Sequence, residues 1–479
     1  MSNLILSLIS GVLLALSFPK FDFHWLAWVV LVPFFLALDR SKDWKGSLLC
    51  GFLFGVVFFG IHLFWVTSLF RFVGWWIALG WISLVIYQAL FILLFVALSR
   101  VAGHRFRVFS VPVIWVAVEW LRAWGPFGVT GGDIGYSQVQ LLPLIQIATF
   151  TSVYGVSFLV VLVNAALVDV GTALAAVRTK RTGINDSTEL VEVPVPAFLR
   201  LVLVLALVAG CFGYGLFELR GSREVHSQAS EQLKLALIQP NIDQKDKMNP
   251  AKVLPTFELQ EEMTQKALAE NPDIVIWPET AVFSYLLHDA RLFPRIKSLA
   301  EEANAWLVMG TPHYIGKRSY NSIVSISPSG EVVSRYDKEQ LVPFGEYLPF
   351  RIILYPVLKG VGYYDAEFSA NPKPEPVAVK DLKLAAAICF ESTFPDLIRK
   401  RVKRNSDFIL LVTNDAWFND SSAPYFHLNT GVFRAIENRK YFVQVGNSGF
   451  SAVIDPYGRI LKRSRLNQRE ILTFEIPLS

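Results

Sequence analysis

Three polar residues stand directly after apolar runs that read as β-strands. Glu279 follows Asp273 to Trp277 (DIVIW) and Pro278, Lys338 follows Glu331 to Tyr336 and Asp337, and Cys389 follows Leu384 to Ile388. In layered α/β folds chemistry gathers at strand ends, because a rigid sheet holds the loops there. The separations of 59 and 51 residues suit three strand ends converging in space. A cysteine thiol, with a reference pKa of about 8.5, is mostly protonated at neutral pH. A carboxylate within about 3 Å takes that proton as the sulfur attacks, and Glu279 fits this part. A lysine beside both favours the anionic forms and steadies a tetrahedral oxyanion, and Lys338 fits that part. The first product is then a thioester, which a second nucleophile resolves in ping-pong fashion. Glu346 and Glu391 stand close by in sequence, placed to orient the lysine or shuttle a proton. Each residue also has a plain reading on its own: a packed cysteine, a capping glutamate, a solvated lysine.

The elements around them belong to the second half of the chain. Further strands are expected at Leu233 to Gln239, Trp306 to Met309, Tyr320 to Ile326, Phe408 to Thr413, Phe442 to Gly446 and Ser451 to Ile454. Pro328-Ser329-Gly330 and Asp455-Pro456-Tyr457-Gly458 read as turns. Helical patterns cover 256–270, 289–303, 393–403 and 426–440. Short buried strands mixed with helices predict an α/β domain of layered sheets.

The first half is of another kind. Hydrophobic residues make up 53% of the 479 residues and charged residues 18%, with a formal charge of +5. Soluble domains carry about a quarter charged residues. The apolar excess lies in residues 1–218, where seven candidate spans fall at about 3–19, 23–38, 47–69, 73–98, 107–124, 142–168 and 197–218. The expected organisation is a transmembrane domain at 1–218, a linker at 219–231 and a water-exposed domain at 232–479. With a cytoplasmic N-terminus, the inner loops carry Arg40, Lys42, Lys45, Arg100, Arg105, Arg107, Arg178, Lys180 and Arg181, and the outer loops only Lys20 and Arg71. That bias places the second domain on the extracytoplasmic side. Trp25, Trp28, Trp44, Trp75, Trp76, Trp120 and Trp124 cluster near span ends, as interfacial anchors do. The glycine-rich loop Gly125 to Asp133 reads as re-entrant or interfacial. Glu119 and Arg122, three apart at membrane depth, are a candidate pair. Cys50, Cys211 and Cys389 are too few and too scattered for a disulfide framework. Zinc-finger spacing, a phosphate-binding loop and a dinucleotide fingerprint are all lacking, so metal, cofactor and nucleic acid are not expected.

Longer motifs sharpen this reading. Trp277-Pro278-Glu279-Thr280, Tyr336-Asp337-Lys338, Leu341-Val342-Pro343-Phe344-Gly345-Glu346, Ile388-Cys389-Phe390-Glu391, Thr413-Asn414-Asp415-Ala416-Trp417-Phe418 and Arg434-Ala435-Ile436-Glu437-Asn438 recur as a set. With Gly135-Tyr136-Ser137-Gln138 and Val153-Tyr154-Gly155-Val156-Ser157-Phe158 in the membrane half, the chain resembles the apolipoprotein N-acyltransferase family over most of its length. That family's outer domain belongs to the nitrilase or carbon–nitrogen hydrolase superfamily. The resemblance implies an αββα sandwich, with Glu279 as base, Lys338 as oxyanion and orienting residue, Cys389 as nucleophile and Glu346 as a further essential carboxylate. Trp277, Phe390, Glu391, Asn414, Trp417 and Phe418 would line the pocket or hold its walls. It also implies a bacterial inner-membrane enzyme, taken here as a monomer. The acyl donor would be a membrane phospholipid. The acceptor would be the free α-amine of a diacylglyceryl-modified cysteine on an apolipoprotein.

A membrane seat suits this chemistry, because drawing a 16-carbon chain through water would cost on the order of 10 kcal/mol at about 0.8 kcal/mol per methylene. The apolar stretch 348–364 is expected to act as an arm that dips into the leaflet. A membrane-tethered amidase- or nitrilase-like hydrolase would use the same three residues with water as acceptor, but needs neither the spans nor the arm. A non-enzymatic scaffold or transporter half leaves the three residues unexplained. Three features depart from the family. Phe390 stands where tyrosine is common. Asn438 to Tyr441 and Gln444 replace a basic, glycine- and proline-containing stretch. Glu470 to Pro477 reads as a strand where a further membrane helix often follows.

Overall fold

The computed structural model describes all residues except 103–106, 126, 183–194, 226–230, 360–366 and 479. It divides into two compact units, Met1–Trp124 with Gly128–Arg220, and Gly221–Ser479 with Gly125–Phe127.

The first unit is helical. Among the described residues it has seven helices of ten residues or more: α1 Ser2–Leu16, α2 Leu31–Arg40, α3 Trp44–His62, α4 Trp76–Val101, α5 Arg107–Arg122, α6 Ala148–Thr182 and α7 Val195–Val225. Four of them are long and apolar enough to cross a membrane: Trp44–His62, Trp76–Val101, Ala148–Val177 and Val195–Gly221. The expected span at 23–38 is instead a 3-10 turn, His24–Trp28, and the ten-residue α2. At 1.5 Å per residue α2 rises only about 15 Å, half a bilayer core. The break survives in an apolar setting because Asn164 satisfies the freed backbone. Its Oδ1 accepts from the amide of Leu31 at 2.9 Å, and its Nδ2 donates to the carbonyl of Ala27 at 2.9 Å. Glu119 and Arg122 do not pair with each other. Glu119 accepts from Trp115 and from the amide of Ile134, both at 2.8 Å, and Arg122 pairs with Asp133. Both residues therefore tie down the loop around Asp133, which is buried within this unit. α7 runs on to Val225, over the first part of the stretch expected as a linker. A polar sequence without periodicity can still continue a helix already nucleated by 20 or so apolar residues, about one bond being gained per residue added.

Among the described residues the second unit holds two six-stranded sheets. The first runs β12-β1-β2-β3-β4-β5, with β1 Glu231–Gln239, β2 Ile274–Trp277, β3 Trp306–Ile315, β4 Arg318–Ile326, β5 Val332–Asp337 and β12 Glu470–Leu478. The second runs β11-β10-β9-β8-β7-β6, with β6 Val377–Val379, β7 Leu382–Ile388, β8 Phe408–Thr413, β9 Phe442–Gly446, β10 Ala452–Ile454 and β11 Ile460–Arg463. β1, β2 and β3 are parallel neighbours, as are β7, β8 and β9. Buried on both faces, the middle stretches of these strands are continuous apolar runs rather than alternating, as in Leu235–Ile238, Ile274–Trp277, Leu384–Ile388 and Phe408–Val412. Leu235, Ile276 and Ile323 of one sheet share a core with Ile388, Leu410 and Val443 of the other. Helices α8 Val253–Ala267 and α9 Phe293–Ala303 cover the outer face of the first sheet, where Phe257 and Ile296 join Trp277 and Leu307. α11 Pro395–Val402 and α12 Ala423–Asn438 pack on the second sheet, and α10 Arg351–Lys359 lies in the loop region after β5. The unit is an αββα sandwich. The polar stretch after Arg469 is β12, which pairs antiparallel with β1 over Glu231 to Gln239.

Candidate active site

Glu279 sits one turn past β2, in a bend held from three directions. Gly310 of β3 lies so close that a Cβ there would meet the Pro278 carbonyl at 2.5 Å and the Glu279 Cα at 2.6 Å. Gln260 donates to the carbonyl of Ala281 at 2.7 Å, and the Lys247 ammonium donates to the carbonyl of Glu279 at 3.0 Å. Lys338 follows β5 and is 1% exposed. Its Nζ lies 2.9 Å from Glu346 Oε2 and 3.7 Å from Glu279 Oε1. Asn321 of β4 binds both carboxylates, at 2.8 Å to Glu279 and 2.9 Å to Glu346, while its carbonyl accepts the Lys338 amide at 2.9 Å. Glu346 Oε2 also receives the amide of Val342 at 2.8 Å, which closes the loop on itself.

Cys389 directly follows β7 with φ of 52°, a left-handed conformation that strains a non-glycine residue. Such strain at a strand end is what turns a side chain out of the sheet toward a site. The charges of Glu279, Lys338 and Asp415 all act on the thiol. Burial and then the Glu279 carboxylate push the thiol well above its ordinary value, with Lys338 opposing. Burial also raises Glu279, against the pull of Lys338. Burial alone would lower Lys338, but Glu346 and Glu279 carry it above its usual value. The resting site therefore holds a neutral thiol, a carboxylate of increased basicity and a fixed ammonium. A base, a nucleophile and an oxyanion partner can do acyl transfer through sulfur.

The remaining expected residues fall into two groups. Phe390, Trp417 and Phe418 keep partial exposure, Phe390 lying edge-on to Phe394 at 4.9 Å. Trp277 and Glu391 do not line an open pocket, because neither has exposed surface. The Trp277 indole points into the outer core and donates to Thr264 at 2.9 Å. Glu391 is a buried fastener. It accepts from Tyr336, from the amides of Glu339, Gln340 and Ile388, and from Arg401. Asn414 is buried between Gln244 at 2.7 Å and Asn447 at 2.9 Å, joining three loops rather than facing solvent.

Sequence reasoning missed Asn321, Lys247 and the pair Asp415–His427. Lys247 belongs to a single helical turn, Gln244–Lys247, in a polar run that looks solvated, yet it is 2% exposed. Burial lowers it to about 7, against the pull of Glu279. Asp415 and His427 meet at 2.8 Å, twelve residues apart across a turn and a helix. Only the quoted motif around Asp415 carried any signal of them.

The sheet order, the paired strand ends and this constellation define a carbon–nitrogen hydrolase domain joined to a membrane helical domain. Residues 234–479 match the family model for carbon-nitrogen hydrolase, and residues 10–166 match that for the apolipoprotein N-acyltransferase N-terminal domain. The apolipoprotein N-acyltransferase of Geobacter metallireducens is 36% identical over 99% of this chain and 89% of its own length. That of Pasteurella multocida is 29% identical, over 96% and 86%. Among solved structures, an amidase from a Nesterenkonia species is 18% identical, with a TM-score of 0.40 over 51% of this chain and 90% of its own. The chain belongs to the apolipoprotein N-acyltransferase family. It is accordingly an acyltransferase of lipoprotein biosynthesis, a multi-pass protein of the inner membrane.

Proposed function

We propose that the enzyme moves an acyl chain from a membrane phospholipid to Cys389 and from there to the α-amine of a diacylglyceryl-cysteine at the N-terminus of an apolipoprotein. In the first half, Glu279 takes the thiol proton as sulfur attacks the ester carbonyl. Lys338 stabilises the oxyanion, and Glu279 returns the proton to the departing alkoxide, so that a lysophospholipid leaves. In the second half, the acceptor nitrogen attacks the thioester, Glu279 carries a proton from nitrogen to sulfur, and the C–S bond breaks. Asn321 and Glu346 hold the ammonium and the base in register. The supporting observation is that one lysine, buried to 1% exposure, lies between Glu279 and Glu346 beside a nucleophile on a strained strand end.

The catalytic unit, taken as 232–479, faces the extracytoplasmic side in this reading. Arg178, Lys180 and Arg181 precede α7, and a single crossing by α7 carries the chain away from that basic side. The apolar arm spans α10, with Ile352 and Ile353 exposed, although part of it, 360–364, lies outside the described residues. Such side chains suit contact with lipid. The test is to supply phospholipid labelled in one acyl chain and to ask by mass spectrometry whether Cys389 gains it. Labelled Cys389 that discharges to an amine acceptor is expected, and C389A should show neither. Label released only as free fatty acid would instead mark a hydrolase.

A further inference from the structure

Asp415 lies in the turn after β8, the strand beside the one that leads into Cys389, and it is fully buried. Its Oδ1 accepts the Nδ1 proton of His427 at 2.8 Å. His427 stands on α12, which packs against the turn that begins at Cys389. The ring is 7% exposed, and its Nε2 makes no hydrogen bond among the described residues. A carboxylate thus fixes tautomer and orientation of an imidazole and leaves the opposite nitrogen unused. The reaction as derived above does not employ this pair.

The proton balance of the second half requires one more group. An acceptor ammonium carries three protons on nitrogen, and the amide product keeps one. Of the two that leave, one passes through Glu279 to the sulfur as the C–S bond breaks and the thiol re-forms. The other must leave before the nitrogen lone pair exists, and Glu279 cannot hold both. Glu346 is committed to Lys338, Asn321 and the Val342 amide. We propose that His427, oriented by Asp415, takes this first proton from the acceptor ammonium at Nε2 and releases it to water after transfer. This rests on the thioester reading of Cys389. The groups that act on the ring are Asp415, Glu279 and Lys338. Burial lowers His427, but Asp415 and Glu279 outweigh it and raise the imidazole above 6.5, with Lys338 opposing. The shift is in the direction of the α-amine range of about 7.7–8.0, which favours proton transfer from the acceptor ammonium to the ring.

The test separates the two halves in the full-length protein. Cys389 is first loaded from labelled phospholipid, and a synthetic diacylglyceryl-cysteinyl peptide with a free amine is then added between pH 6 and pH 10. His427→Gln should load Cys389 within about twofold of the parent and discharge about 100-fold more slowly at pH 7, the scale of a lost general base. The deficit should shrink to a few-fold above about pH 9, where the acceptor amine is already neutral. His427→Asn should give the same pattern, and it serves if the first variant does not fold. Parental discharge at pH 7, a deficit equal at every pH, or an equal slowing of loading would overturn the proposal. A parent enzyme that never loads Cys389 would instead overturn the thioester reading on which it stands.

Discussion

Glu391→Gln exchanges one carboxylate oxygen for an amide NH2 and removes a buried charge. Oε1 accepts from the Glu339 amide at 2.8 Å, the Gln340 amide at 3.0 Å and Arg401 at 2.8 Å. Oε2 accepts from Tyr336 at 2.7 Å, the Ile388 amide at 2.8 Å and Arg401 at 3.3 Å. Whichever way the new amide turns, three donors face a donor, and Arg401, 5% exposed, keeps only its longer pair with Glu339 at 3.4 Å. Removing one member of a buried ion pair costs about 3–5 kcal/mol. With about 2–4 °C per kcal/mol for a domain of this size, the melting temperature should fall by about 6–20 °C. Thermal unfolding followed by tryptophan fluorescence in detergent reads this directly. Adding Arg401→Met should recover part of the loss, since the under-compensated cation then disappears. Burial would raise Glu391, but Arg401 holds it below the usual carboxylate value. Its contribution is therefore present above about pH 4.5 and lost as pH falls through the folded-state value, and the glutamine variant should lack that acid-dependent loss. A variant that melts within about 3 °C of the parent while losing all transfer would refute the fastener role, because the expected loss is several-fold larger.

Three further outcomes follow from the same geometry. Because Glu279 must be ionised to act as base, and burial raises it, the acid limb of the rate profile should lie above the ordinary carboxylate value of 4.5; Glu346→Gln removes a negative charge and should move that limb to lower pH, whereas Asn321→Ala removes a donor and should move it higher, as read from kcat/KM against pH. Lys247→Met strips the Glu279 carbonyl of its donor and should lower transfer by about tenfold, the rate equivalent of roughly 1.4 kcal/mol, measured as single-turnover loading of Cys389. Gly310→Ala places a carbon 2.6 Å from the Glu279 Cα and should displace the base, reducing loading by on the order of 100-fold with a smaller fall in stability.

The strand ends were legible because each joins an apolar run to a polar residue, a local signal. Strands such as Phe408–Thr413 and Phe442–Gly446 have the bounds their apolar runs suggest. β11 escaped notice because Ile460–Arg463 is an exposed edge strand without alternation, and β6 because three residues carry no period. α2 reads as part of a longer span because hydropathy does not register a backbone break that a distant Asn164 repairs. The same limit hid the inner site. Glu391 in sequence is one more carboxylate beside a cysteine, and only folding reveals that its lone pairs are already occupied. Lys247 looks like a solvated lysine among Gln244, Asp246 and Asn249, and its burial depends on a turn 32 residues away.

Glu279 and Lys338 hang from one sheet, Cys389 and Asp415 from the other, and the shared apolar layer, together with the Glu391 bonds beside Lys338, fixes how far apart they stand. That makes the interior a spacer as well as a source of stability. Trimming Ile276 or Val443 to a smaller aliphatic would let the sheets settle by a fraction of an ångström. Turnover would then change although no group near the sulfur had been touched, so variation in this interior is a means of tuning rate at long range.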